Sequence, residues 1–119
     1  MSRDESSLID VINAGDRIAS YVAGLDRRAI EQNSMIRAAV LYEFLVMGEA
    51  VKRLSPEFRA AYPDVPWSQV AGMRDVLIHG YDRVDFDRVW STIERALPDL
   101  LGTLRPLVPK DPSARPSGN

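Results

Sequence analysis

The sequence predicts an all-α protein, an up-and-down bundle of four main helices with one or two short ones. Three observations lead there. Apolar residues recur at about the 3.6-residue spacing of a helix along most of the chain. No segment alternates apolar and polar residues as a half-buried strand would. The apolar segments are separated by residues that cap or stop helices.

The first stripe is Leu8, Val11, Ile12, Gly15, Ile18, Ala19 and Val22, with Ser7 and Asp10 expected as a capping box at its start and Gly24 as its end. Asp26 to Glu31 predicts a short helical turn, after which Asn33 or Ser34 caps a long second helix. Its inner face is expected to be Met35, Ala38, Ala39, Tyr42, Leu45, Val46, Glu49 and Arg53, flanked by Leu41 and Phe44. Ser55-Pro56-Glu57 restarts a short helix that stops near Tyr62-Pro63. Asp64-Val65-Pro66-Trp67 opens the next, which carries Val70, Met73, Arg74 and Leu77 and runs to about His79, with Gly80 as a natural stop.

Asp85 caps the last helix, and Val84 and Val89 occupy the positions of a hydrophobic staple. Phe86, Val89, Trp90, Ile93, Leu97, Leu100, Leu101 and Leu104 complete its stripe, and Pro98 within it predicts a kink. Tyr21, Tyr42, Trp67 and Trp90 fit core or interface packing by their helical spacing, and Met35, Met47 and Met73 fit the same filling role. Residues 1–108 thus form one domain, and the Pro-, Ser- and Gly-rich stretch 109–119 is expected to be a disordered tail.

Composition narrows the function. Fifteen lysines and arginines stand against 17 acids, a net charge of -2, so no dedicated duplex-DNA binder is suggested and any nucleic-acid binding needs a local basic patch. The chain has no cysteine, which excludes thiolate metal sites and suits a reducing compartment. The polar, acidic start is unlike a signal peptide, and no apolar run nears the roughly 20 residues that span a bilayer. A cytoplasmic protein with no membrane contact and no cofactor is expected.

The one histidine sits at a helix end, in Met73-Arg74-Asp75-Val76-Leu77-Ile78-His79-Gly80-Tyr81. Arg74 and His79 could be no more than a solvated charge and a helix-end cation. However, Arg74 falls on or beside the apolar stripe, where a guanidinium needs a partner, and Tyr81 presents a phenol just past the helix stop. Glu49, between Gly48 and Ala50 that would let another helix approach, is a candidate counter-charge for Arg74; alternatively it extends to solvent. Arginine can bind a phosphate with two parallel hydrogen bonds, and histidine can move a proton at a ribose hydroxyl. Together they suit RNA cleavage, in which a 2′-hydroxyl attacks the adjacent phosphate. That reaction profits from both an acid and a base, so a single histidine points to a homodimer with two copies of His79 at one cleft.

Arg74-Asp75-x3-His79 resembles the defining motif of HEPN ribonuclease domains, and the extension to Tyr81 is similar to the HepT toxins that pair with MntA antitoxins. Gly48-Glu49-Ala50, Lys52-Arg53-Leu54-Ser55, Val65-Pro66-Trp67, Ala71-Gly72-Met73 and Asp87-Arg88-Val89-Trp90 resemble that family's pattern in order and spacing, over roughly residues 5 to 107. The resemblance implies a HEPN-type bundle and a dimer with the motifs facing across a cleft. It implies a metal-independent endoribonuclease with Arg74 and His79 catalytic, supported by Asp75 and Glu49. It also implies a type VII-like toxin–antitoxin pair in which a minimal nucleotidyltransferase neutralises the toxin by adding AMP to Tyr81. Arg37, Lys52, Arg53 and Arg83 are the candidates for an RNA-contacting lining. The competing readings are a non-catalytic HEPN subunit that binds nucleotide or accompanies a nucleotidyltransferase, and a plain structural bundle.

Overall fold

The computed structural model describes residues 2–80 and 85–108, with residues 76–80 described as backbone. The helices are α1 (Arg3–Val22), α2 (Arg27–Gln32), α3 (Ser34–Arg53), α4 (Pro56–Ala61), α5 (Trp67–Gly80), α6 (Phe86–Ser91) and α7 (Leu97–Leu104). A π-helical turn, Thr92–Ala96, joins α6 to α7, so the last main helix is continuous, and a short 3-10 turn, Arg105–Leu107, follows it. The four main helices and two short ones match the expected bundle, and no strand occurs among the described residues. The tail from 109, Val84 of the expected staple, and Tyr81 and Arg83 lie outside the described residues.

Cap chemistry sets most boundaries. Asp26 accepts from Ala29 N–H, Asn33 from Ile36 N–H, Ser55 from Phe58 N–H, and Asp85 from the N–H groups of Asp87 and Arg88. Gly24 follows the end of α1 with φ +76°, a conformation that costs glycine little and other residues more. The start of α1 departs from expectation. Ser2, not Ser7, is the cap, accepting from Glu5 N–H at 3.1 Å, and Ser7 is buried one turn inside the helix. The apolar stripe gives no signal there because the first turn of α1 carries Asp4 and Glu5, which favour a helix N-terminus by charge and not by burial.

α1 and α3 pack along each other, and α5 lies against α3. The face that α3 buries is a correction. Val40, Leu41, Phe44, Met47, Gly48 and Val51 point inward, whereas Met35 is 82% exposed and Tyr42 62% exposed. The helix carries two apolar stripes, and the carboxylate of Glu43 decides between them. It is buried, but it accepts from Arg17 Nε at 2.9 Å and from Tyr21 Oη at 3.0 Å, so the stripe beside it can enter the core with no unpaired charge. Tyr42 is therefore not core, while Tyr21, Trp67 and Trp90 pack against the core as half-buried rings. Met47 and Met73 are fully buried fillers.

The irregularity expected at Pro98 appears one turn earlier. Leu97 N–H bonds to Thr92 O, five residues back, which widens the helix just before the proline. Proline lacks an N–H and its ring collides with the carbonyl four residues before it, so a wider turn ahead of Pro98 relieves both problems. From the start of the wide turn the buried residues come in pairs, Thr92 and Ile93, Ala96 and Leu97, Leu100 and Leu101. Leu97 and Leu101 close over Gly15 of α1, where a methyl group would lie 2.7 Å from Leu101 Cδ2.

Candidate active site

The crossing of α3 and α5 positions the candidate residues. A methyl group built on Gly48 would lie 3.2 Å from Arg74 Cβ and within 3.7 Å of the Ala71 and Val70 carbonyls, so α5 rests on the bare backbone of α3 there. Glu49, the next residue, turns its carboxylate to Arg74, whose Nε donates to Glu49 Oε1. Glu49 and Arg74 are thus the counter-charged pair that the sequence suggests. The arginine side chain stays 30% exposed and the glutamate 44%, so the guanidinium is anchored along one edge and open to solvent on another. An arginine held in this way can still offer two parallel N–H groups to a phosphate.

Asp75 is exposed and stands 3.8 Å from Arg74 Nη1, a second carboxylate at the outer edge of the same guanidinium. His79 lies in the last turn of α5, five residues after Arg74, roughly 7.5 Å along the helix axis. Lys52 and Arg53 form the last turn of α3, about one turn beyond Glu49, and Arg53 Nη2 pairs with Asp10 Oδ2 of α1 at 3.2 Å. Arg37 is not gathered with them in this chain. It donates to the carbonyl of Glu31 at 2.6 Å, at the other end of α3 and roughly 18 Å from Glu49 along the axis.

Arg88 is a neighbour that sequence reasoning misses. Its guanidinium lies over Gly72, with Nη2 2.8 Å from where a methyl group would stand, two residues before Arg74. Gly72 in mid-helix, together with an arginine-bearing cap segment, is the only signal of it in the sequence. Nearby, Thr92 Oγ1 accepts from Gln69 Nε2 at 3.1 Å and donates to the Arg88 carbonyl at 2.8 Å, which ties the π-helical turn to α5. Away from this crossing, the buried carboxylate of Glu43 pushes the Tyr21 phenol above its ordinary pKa, first through their hydrogen bond and then through burial. Both groups are satisfied by each other and by Arg17, which makes this a brace between α1 and α3.

Among the described residues no three acidic, histidine or cysteine side chains are grouped to hold a metal ion. No described helix is long and apolar enough to cross a membrane.

Residues 11–107 match the family model described as Ribonuclease HepT-like. A protein of Methanocaldococcus jannaschii named provisionally as an RNase is 37% identical over 93 residues, which cover 78% of this chain and 80% of that one. A protein of Caldanaerobacter subterraneus subsp. tengcongensis, also named provisionally as an RNase, is 34% identical over 76% of this chain and 80% of its own. A third, from Thermococcus cleftensis and named provisionally as ribonuclease HepT, is 38% identical over 58% of this chain and 63% of its own. No solved structure matches the chain at a significant level. The match spans all of α3 and α5, including the crossing that holds Glu49 against Arg74, and the chain belongs to the HepT-like ribonuclease family.

Proposed function

We propose that the protein is a metal-independent endoribonuclease, the toxin of a type VII-like toxin–antitoxin pair, acting as a homodimer. The observation that carries this reading is Arg74, partly exposed and anchored by Glu49 on the helix whose last turn carries the chain's one histidine. In the proposed reaction Arg74 holds the scissile phosphate and stabilises the charge that builds on its oxygens. The ribose 2′-oxygen forms a bond to phosphorus as the bond to the 5′-oxygen of the next nucleotide breaks. One His79 takes the proton of the 2′-hydroxyl, and the partner's His79 returns a proton to the departing oxygen. Asp75 limits the freedom of the Arg74 guanidinium.

The exposed stripe of α3 supports the dimer. Met35, Ala38, Tyr42 and Leu45 alternate at spacings of three and four residues, the pattern of a helix seam, and the stripe ends at Glu49 beside Arg74. A second copy seated there by a two-fold axis would bring two Arg74 and His79 pairs toward one cleft.

The regulatory part of the reading rests on the family likeness. Tyr81 accepts AMP from ATP, its phenol oxygen joining the α-phosphorus as pyrophosphate leaves, catalysed by a minimal nucleotidyltransferase antitoxin. The added phosphodiester would occupy the place of the RNA phosphate and repel the substrate by charge. The test is cleavage of a labelled RNA in the presence of a chelator by the purified protein and by His79→Ala. Cleavage by the unaltered protein alone is expected. Equal cleavage by both, or none by either, overturns the catalytic assignment, and absence of an AMP mass addition after co-expression with the antitoxin overturns the role of Tyr81.

A further inference from the structure

A second cluster of cations lies one helical turn from the Glu49–Arg74 pair. The start of α1, the end of α3 and α4 enclose a cleft of about 500 Å³ lined by Arg3, Lys52, Arg53 and Arg59, with Asp4 as its one acidic member. Four cations around one cleft stand out in a chain whose net charge is -2. Three of them, Arg3, Lys52 and Arg59, have no ion-pair partner within 4.0 Å among the described residues, and Arg53 shares only an exposed pair with Asp10, which a competing anion can displace at little cost.

Two features separate this cleft from a solvated helix end. Arg59 Nε is shielded from solvent and has no hydrogen-bond acceptor among the described residues, a deficit that the protein leaves unmet. Its backbone is fixed, because the Trp67 indole N–H donates to the Arg59 and Tyr62 carbonyls at 3.1 and 3.0 Å, so the side chain is presented from a rigid support. Asp4 is an ionised carboxylate that offsets one of the four cations, so the cleft keeps a net positive charge. Its two oxygens are occupied by Ser55 N–H at 2.8 Å and Ser55 Oγ at 2.7 Å. Glu49 and Arg53 lie on one face of α3, four residues or roughly 6 Å apart along the axis, so Arg53 at the cleft stands about one turn from the residue that anchors Arg74.

We infer that this cleft is a phosphate-binding subsite that grips the backbone of single-stranded RNA next to the cleavage position, with Lys52 and Arg59 as its principal contacts. It rests on the reading of RNA as substrate and extends it, since the contacts are to phosphate and are indifferent to base sequence.

The test uses His79→Ala protein, so that bound RNA is not cut, and a short labelled single-stranded RNA followed by fluorescence anisotropy. Adding Lys52→Glu and Arg59→Gln is expected to weaken binding roughly tenfold and to flatten the dependence of log affinity on log salt by about 0.7 for each phosphate no longer neutralised. Arg28→Glu, an exposed charge reversal on α2 at the far end of α3, is expected to leave affinity unchanged. Lys52 is exposed, so Lys52→Glu alone carries the test if Arg59→Gln melts early. RNA bound equally by the cleft variants and their parent overturns the subsite and leaves the RNA reading intact. RNA left unbound by the parent overturns both.

Discussion

Arg74 stands on Gly48, its Cβ 3.2 Å from the point a glycine-to-alanine methyl would occupy, so the candidate catalytic arginine is also part of a helix crossing. The atoms facing Gly48 are a Cβ and two backbone carbonyls, none of which can swing away. Gly48→Val should therefore push α5 off α3 and cost about 1–3 kcal/mol, read as a fall in melting temperature by circular dichroism. RNA cleavage should fall with it, and a variant as stable as its parent would show that the crossing has slack.

Glu49→Gln separates anchoring from packing. The pair is 30% and 44% exposed, so its contribution to stability is within about 1 kcal/mol, and the melting temperature should move little. Cleavage should fall roughly tenfold, because a guanidinium released from its anchor is less well placed for the phosphate. Unchanged cleavage would remove Glu49 from the site.

The outward stripe of α3 gives a third outcome. Tyr42→Glu and Met35→Glu replace exposed side chains, so each variant should fold as its parent does. Sedimentation should show the dimer mass halved, and cleavage should be lost at the same concentrations. A monomeric parent, or a dimer indifferent to both changes, would refute α3 as the interface.

Asp4 carries a pH signature. Its hydrogen bonds from the Ser55 side chain and backbone hold its pKa below the ordinary 3.8. A depressed folded-state pKa means that the stabilisation is present above the unfolded value and disappears as pH falls through the folded one. Asp4→Asn should thus lower the melting temperature at neutral pH and by progressively less as pH falls below 3.8, the comparison being thermal melts across that range. A constant difference would mean that the ionised carboxylate contributes nothing.

Caps and stripes made most of the bundle legible, because Asp26, Asn33, Ser55 and Asp85 act on N–H groups two or three residues away. The Glu49–Arg74 pair was legible through the small residues beside Glu49 and the place of Arg74 on the apolar stripe of α5. The face of α3 was not. Choosing between its stripes requires knowing that Arg17 and Tyr21, more than 20 residues earlier, reach Glu43, a contact that exists only after α1 and α3 have met. The unmet donor of Arg59 and the placement of Arg88 over Gly72 are likewise products of packing, without local sequence signatures.

The widened turn at Thr92–Ala96 sets where this protein tolerates a change of length. Regular winding advances about 100° per residue, so one residue too many should throw everything after it out of phase. The last helix holds its surplus residue in a single broad turn, and Phe86 and Val89 before it and Leu97 and Leu101 after it all remain buried. An insertion in α3 ahead of Glu49 has no such turn to absorb it, and the same rotation would carry the carboxylate away from Arg74. The last helix carries an extra residue without losing its buried face, and α3 could not do so without turning Glu49 away from Arg74.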